Sequence, residues 1–242
     1  MELWQEKASE EMVIFIKNFL KIDRINFTGS ILDHNSLDIF SDVDADIFLH
    51  DDVDFCMSDF ICELSNQYSI LGYETYSYDN KDVLRICLET GWRFDLSFFY
   101  KKKIQTLPVN STLKDKIQDT VNRFWFLASM VLIKLGRKDF LIASHLALEL
   151  CQLTIVVQML VRDEMKNTSI HRFGDMEHVP ILHSFNHNGE LKDLDTARKI
   201  VYILYQATEQ MDSMIEELNM GYTRRGCTLK SLQRQLNYSF SS

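Results

Sequence analysis

The spacing of apolar and polar positions divides the chain into two halves. Between Ser9 and Leu20, the residues Met12, Val13, Phe15, Ile16, Phe19 and Leu20 recur as on a helix that buries one face. The short run Ile25-Asn26-Phe27-Thr28 then predicts a strand that ends in a tight turn at Gly29-Ser30. From Asp42 to Leu49 acids alternate with apolar residues, so a strand here sets Asp42, Asp44 and Asp46 on one face. A helix over about 54–67 follows. Three strands, Tyr73–Tyr78, Val83–Leu88 and Arg93–Phe99, then form a meander with turns at Asp79-Asn80 and Thr90-Gly91. Beyond the segment Gln105–Asn110 the period lengthens, and helices are expected over about 113–135, 139–165, 191–219 and 228–236, with an irregular stretch Asn167–Gly189. Within the second of these helices, Leu146, Leu150, Leu153, Val157 and Leu160 step by 4, 3, 4 and 3, the spacing of a seam that packs on other helices.

The expected fold class is therefore α+β: an N-terminal mixed sheet with flanking helices over 1–110, and a C-terminal all-α helical bundle over 111–242. Only 8 Gly and 2 Pro in 242 residues agree with long, unbroken helices. No internal repeat is visible.

Charge sharpens this division. The formal net charge of -9 is shared unequally, with 20 acids and 10 bases in 1–110 against 15 acids and 16 bases in 111–242. Such a balance argues against nucleic acid as a partner, because no basic surface is available to neutralise a phosphate backbone. It favours a cationic or metal-bridged ligand instead. The five cysteines form no CxxC pair, and Cys87 and Cys151 lie in apolar runs as reduced core thiols do, so a reducing, cytoplasmic compartment is expected. The N-terminus is acidic where an export signal is basic. The apolar stretch Leu141–Val161 carries His145, Glu149, Gln152 and Gln158, which suit a buried helix of a soluble bundle better than hydrocarbon, so no membrane partner is expected.

The candidate chemistry lies in three pieces. Gly29-Ser30 ends a strand, Ser41-Asp42-Val43-Asp44 begins eleven residues past Ser30, and Asp95 lies in the later strand. Asp42 and Asp44 point to one side of their strand, and two carboxylates so close repel one another unless a divalent cation lies between them. Asp95 can complete the site from a neighbouring strand. An oxygen-only set suits Mg²⁺, which binds through carboxylates together with nucleotide phosphates. Gly29 lets a phosphate approach the backbone, and Ser30 adds a hydroxyl donor. Arg93 alternates with Asp95 and is expected on the same side, steadying Asp95 or a phosphate.

This arrangement resembles the nucleotidyltransferase superfamily, whose motif is Gly-Ser, a spacer, a paired Asp-x-Asp/Glu on the next strand and a third carboxylate on a later strand. Its catalytic sheet is polymerase-β-like. Ser41-Asp42-Val43-Asp44 matches the Ser-Asp-aliphatic-Asp core, and the helical second half is similar to the C-terminal bundle of lincosamide and aminoglycoside adenylyltransferases. The specific motif covers positions 29–48 and 93–96. Asp33 stands where a second Gly is often found, with Asn35 as an alternative left-handed residue. The resemblance implies transfer of AMP from ATP to a hydroxyl of a small molecule, a lincosamide or an aminoglycoside, with release of pyrophosphate. It implies one or two Mg²⁺ ions held by Asp42, Asp44 and Asp95, nucleotide contacts from Gly29, Ser30, Ser41 and Arg93, and an acceptor site between the two domains. Asp95 is either a third metal ligand or the base for the acceptor hydroxyl. A homodimer is compatible with this family. The alternative is a non-catalytic nucleotidyltransferase-like module with a binding, antitoxin or regulatory role.

Other features have plainer readings. Asp46 is a flanking acid, and Asp33 and Asp38 are exposed spacer residues. His171, His178, His183 and His187 are loop histidines, because Asn186, Asn188 and Gly189 break any helix that would align them. Lys101-Lys102-Lys103 is expected to guard an edge strand rather than to attract a triphosphate, an expectation that requires the preceding strand to lie at the edge of the sheet. Phe124-Trp125-Phe126 is bundle core, and Glu149 is a hydrogen-bonded core acid.

Overall fold

A computed structural model describes residues 3–33, 37–101, 112–165, 193–218 and 222–236. The chain divides into two compact units, Met1–Val109 and Asn110–Ser242. The first is α+β, with a five-stranded mixed sheet; the described residues of the second are helical. The expected linker, the four histidines with their irregular stretch, His34, Asn35, Lys102 and Lys103 lie outside the described residues.

In the first unit, α1 (Trp4–Phe19) leads into β1 (Ile22–Thr28), a 3-10 turn at Gly29–Leu32 and β2 (Val43–Leu49). After α2 (Met57–Gln67) come β3 (Ile70–Ser77), β4 (Lys81–Leu88) and β5 (Arg93–Phe99), the expected meander. The strand order is β1-β2-β5-β4-β3, so the strand that ends just before Lys101 is interior rather than the expected edge, and Lys101 pairs with Asp51. Only β2 and β5 run parallel, which brings the first strands of the unit against its last. Period-2 alternation gives the sheet two unlike faces. Val43, Ala45, Ile47 and Leu49 of β2, with Phe94, Leu96 and Phe98 of β5, are buried in one core with α1 and α2. Phe60 of α2 packs edge-on against Phe98 and Phe15 within it. Asp44, Asp46, Asp95 and Ser97 lie on the opposite face, all half-buried.

Helix α1 starts at Trp4, five residues before the apolar period becomes visible. The reason is Gln5, polar in sequence yet fully buried, which donates through Nε2 to the carbonyls of Asp38 and Ser41 at 2.7 and 3.1 Å. A hydropathy pattern has no way to mark such a residue as inward-facing.

In the second unit the helices are α3 (Leu113–Gly136), α4 (Phe140–Met165), α5 (Asp193–Glu217) and α6 (Gly226–Gln235). Thr112 and Asp115 form a reciprocal capping box at the start of α3. Of the expected seam, Leu150, Leu153 and Val157 are buried, together with Ala143, Ala147, Thr154 and Val161, whereas Leu146 and Leu160 are only partly buried at its margins. By length and composition α4 could cross a membrane; it packs along α3 and α5. Phe124, Trp125 and Phe126 are buried as expected. Glu149 is only partly buried and pairs with Arg123 of α3 rather than sitting in the core. All five cysteines are free thiols, and burial pushes the Cys151 thiol up to about 11.

Helix α6 begins two residues earlier than the expected Thr228. Asp212 of α5, itself buried, accepts hydrogen bonds from the backbone N–H groups of Arg225 and Gly226, both at 3.0 Å. An acid from a distant helix thus supplies the cap. Glycine suits position 226, since a Cβ there would stand 2.8 Å from Asp212 Oδ2 and push that carboxylate aside. Tyr222 donates to the other Asp212 oxygen at 2.7 Å and accepts from Trp125 Nε1 at 2.8 Å.

Candidate functional site

Strand register puts a row of side chains across the polar face of the sheet. Thr28 of β1 pairs with Asp44 of β2, Asp44 with Asp95 of β5, Asp95 with Arg85 of β4, and Arg85 with Glu74 of β3. The parallel β2–β5 pairing brings together two acids that are 51 positions apart in sequence. Asp42 stands at the mouth of β2, close enough to act electrostatically on Asp44, Asp95 and Arg85. Farther along the same face the acids give way to stacked Phe48 and Phe99, 4.9 Å between centroids, with Arg24 over one ring and Lys81 over the other.

Gly29 is fitted to Asp44. Its φ is +68°, and a Cβ there would lie 2.2 Å from Asp44 Oδ2. The carboxylate therefore lies directly over the glycine that ends β1, in space that only a residue without a side chain leaves open. Ser30 follows in the 3-10 turn, half-buried.

The acids repel one another. Asp44 is pushed up to about 6, first by burial, then by the charges of Asp42 and Asp95, with Arg85 opposing. Asp95 is also raised, by burial first, although the Arg85 guanidinium pulls it back. Arg85 donates from Nε to Asp95 Oδ2 at 3.1 Å and from Nη1 to Glu74 Oε1 at 2.8 Å. Asp46 sits on the same face and adds a smaller like charge to Asp44.

Two of the expected nucleotide contacts have other work. Ser41 is fully buried, and its hydroxyl donates to Asp38 Oδ1 at 2.8 Å while accepting from Asp38 N at 3.1 Å. Asp38, expected to be exposed, is half-buried and also accepts from Phe40 N at 2.9 Å. The two residues build the turn that delivers Asp42. Arg93 is buried beneath that turn, where its guanidinium donates to the carbonyls of Gly91 at 2.7 Å, Ile39 at 3.0 Å and Ser41 at 3.1 Å and stacks over Trp4. Arg85, not Arg93, is the cation that bonds Asp95. The structure thus brings Asp42, Asp44, Asp95 and Gly29 together, and turns Ser41 and Arg93 into supports of the turn.

Glu74, Arg85, Gln5 and Trp4 were missed by the sequence reading. A signal existed for Arg85, a lone charge within Val83-Leu84-Arg85-Ile86-Cys87. An isolated ion in a fully apolar strand needs a buried partner.

A divalent cation fits this chemistry in one respect and meets a limit in another. The burial and mutual repulsion that raise Asp44 are what a cation between Asp42 and Asp44 would relieve. Among the described residues, however, no three of His, Cys, Asp or Glu stand grouped as a metal site. The set that fits is the Asp42–Asp44 pair, with remaining positions left to water and phosphate oxygens, the coordination Mg²⁺ commonly keeps.

No protein-family model and no curated protein matches the chain. Among solved structures it is similar to an aminoglycoside 6-adenyltransferase from Bacillus subtilis, with 13% identity and a TM-score of 0.37 over 90% of this chain and 93% of that one.

Proposed function

We propose that the chain is a Mg²⁺-dependent nucleotidyltransferase that moves AMP from ATP to a hydroxyl of a small molecule, of the lincosamide or aminoglycoside class, with release of pyrophosphate. The observation that carries this reading is the placement of Asp44 and Asp95 as direct partners on parallel strands, with the Asp44 carboxylate over Gly29 at the end of β1.

Asp42 and Asp44 are the residues that hold the metal, which when bound neutralises phosphate charge and the leaving pyrophosphate. Gly29 and Ser30 receive the triphosphate at the turn after β1, Ser30 through its hydroxyl and Gly29 by seating the Asp44 carboxylate, and any metal it would hold, against the turn. Asp95 faces the acceptor. Its raised pKa suits it to take the hydroxyl proton as the oxygen attacks the α-phosphorus. A bond forms between acceptor oxygen and α-phosphorus, and the bond from α-phosphorus to the bridging oxygen breaks, its electron pair leaving with pyrophosphate. Ser41, Asp38, Arg93 and Gln5 orient Asp42 through the turn they hold.

The excess of acid over base around Arg85 suits a cationic acceptor, because long-range attraction raises its local concentration. The test is a panel of hydroxyl-bearing antibiotics with ATP labelled at the α-phosphate. Label and the mass of AMP on one acceptor support the reading, and their absence across the panel contradicts the acceptor class.

One observation favours a second reading, a non-catalytic nucleotidyltransferase-like binding module: Asp95 is already paired with Arg85. Saturable ATP binding without transfer to any acceptor, unaltered by Mg²⁺, would favour that reading.

A further inference from the structure

Glu74 and Arg85 have no part in the chemistry described so far, yet they are costly to keep. The Glu74 side chain is 6% exposed on β3, and the half-buried Arg85 lies between two carboxylates within the apolar run 83–87 of β4. The Glu74 carboxylate is almost fully desolvated, and an ion pair formed at that cost contributes little to stability compared with well-packed apolar residues of similar volume. Stability alone is a poor reason for this pair.

The geometry offers a better one. Glu74, Arg85 and Asp95 are consecutive partners across three strands, so their Cα positions are fixed by the sheet ladder. The guanidinium is gripped at its far end by Glu74, through Nη1, and presents its Nε edge to Asp95 Oδ2. Arg85 cannot rotate away from Asp95 without breaking its bond to Glu74. With Oδ2 held by Arg85, the orientation of the second Asp95 oxygen is set in turn.

We propose that Glu74 and Arg85 are a positioning pair, which fixes which oxygen of Asp95 is offered to the acceptor and holds it toward Asp44. This rests on the nucleotidyltransferase reading for its functional meaning. Its structural content is independent of that reading: the Asp95 side chain takes its orientation from Glu74, two strands away, through Arg85.

The test uses the full chain. In Glu74→Ala the guanidinium loses its anchor, and kcat falls about 10- to 100-fold, the order of loss that a misplacement of about 1 Å produces. The KM for ATP changes less than about threefold, because the nucleotide contacts are elsewhere. Glu74→Gln keeps an acceptor for Nη1 and restores most of kcat, whereas Arg85→Lys does not, since an ammonium lacks the planar fork that serves two carboxylates from separate edges. In an Asp95→Asn background, Glu74→Ala costs nothing further, the non-additivity of groups that act as one unit. Crystal structures of the wild type and Glu74→Ala supply a readout without turnover, with Asp95 turned or split between rotamers in the variant. An Asp95 that keeps its rotamer, or a Glu74→Ala protein with lower Tm and unchanged kcat, overturns the proposal. If Glu74→Ala does not fold, Arg85→Lys decides, and full activity there overturns it equally. A wild type without transferase activity whose Asp95 still turns in Glu74→Ala would end the enzymatic reading and leave the positioning pair standing.

Discussion

Asp44 is where the competing forces on this site meet. Burial and the charges of Asp42 and Asp95 hold its pKa at about 6 in the folded chain, above its ordinary value of 3.8. A raised acid stabilises the fold when protonated, so this contribution is complete below about 3.8 and is lost as pH rises through about 6. Replacing Asp44 with Asn removes the strain of the charged form. The variant should therefore show a higher urea midpoint than wild type at pH 7.5, and the advantage should shrink by pH 4. Added Mg²⁺ should raise the wild-type midpoint at pH 7.5 and leave that of Asp44→Asn unchanged. Gly29 faces the same carboxylate. Gly29→Ala forces a side chain into a left-handed conformation at a cost of about 1–2 kcal/mol, and drives its Cβ into Asp44 Oδ2. Both the urea midpoint and kcat should fall, with kcat reduced more than the stability loss explains. These residues were legible in sequence, because Gly-Ser and Ser-Asp-x-Asp are local patterns. Arg93 was legible as a charge but not in its role: alternation predicts which face a side chain leaves from, not which carbonyls a long guanidinium will reach.

At the scale of elements, alternation and helical period located the strands and helices, and failed where a polar residue turns inward. Gln5 hid the first turn of α1, and Asp212 hid the first turn of α6. Strand order is a different matter. No local pattern states that β5 inserts beside β2 in parallel, yet that pairing is what sets Asp95 against Asp44, and Arg85 and Glu74 behind them. The site's second tier was hidden for the same reason, since its members are partners only through the ladder. The α6 cap gives an element-level prediction. Asp212→Ala strips the partner from two backbone N–H groups and the Tyr222 hydroxyl, with a loss of about 2–4 kcal/mol. Hydrogen exchange should speed in 226–235 while amides of the β2–β5 ladder keep their protection.

Over the whole molecule, the net charge of -9 resolves into an acid-rich sheet unit and a nearly neutral helical one. Much of that acidity is ordinary surface: Asp51 and Asp52 pair with Lys101 and Lys21 in the open. Asp44, Asp46, Asp95 and Glu74, with Asp42 at the mouth of β2, are another matter, concentrated on one face of one sheet around Arg85. A cluster that is strained when unliganded is suited to binding a cation, and its place beside a glycine-ended strand suits a phosphate. Asp44 and Asp95 are proposed to support Mg²⁺-dependent nucleotidyl transfer together. The most direct measurement is the rate of pyrophosphate release from ATP, with and without Mg²⁺, over a panel of hydroxyl-bearing acceptors, for wild type, Asp44→Asn and Asp95→Asn. Wild type should show acceptor- and Mg²⁺-dependent release, reduced at least about 100-fold in either variant, a loss expected when a group acting mainly in the transition state is removed. Release that is equal in all three proteins, or absent from wild type with every acceptor, would contradict it.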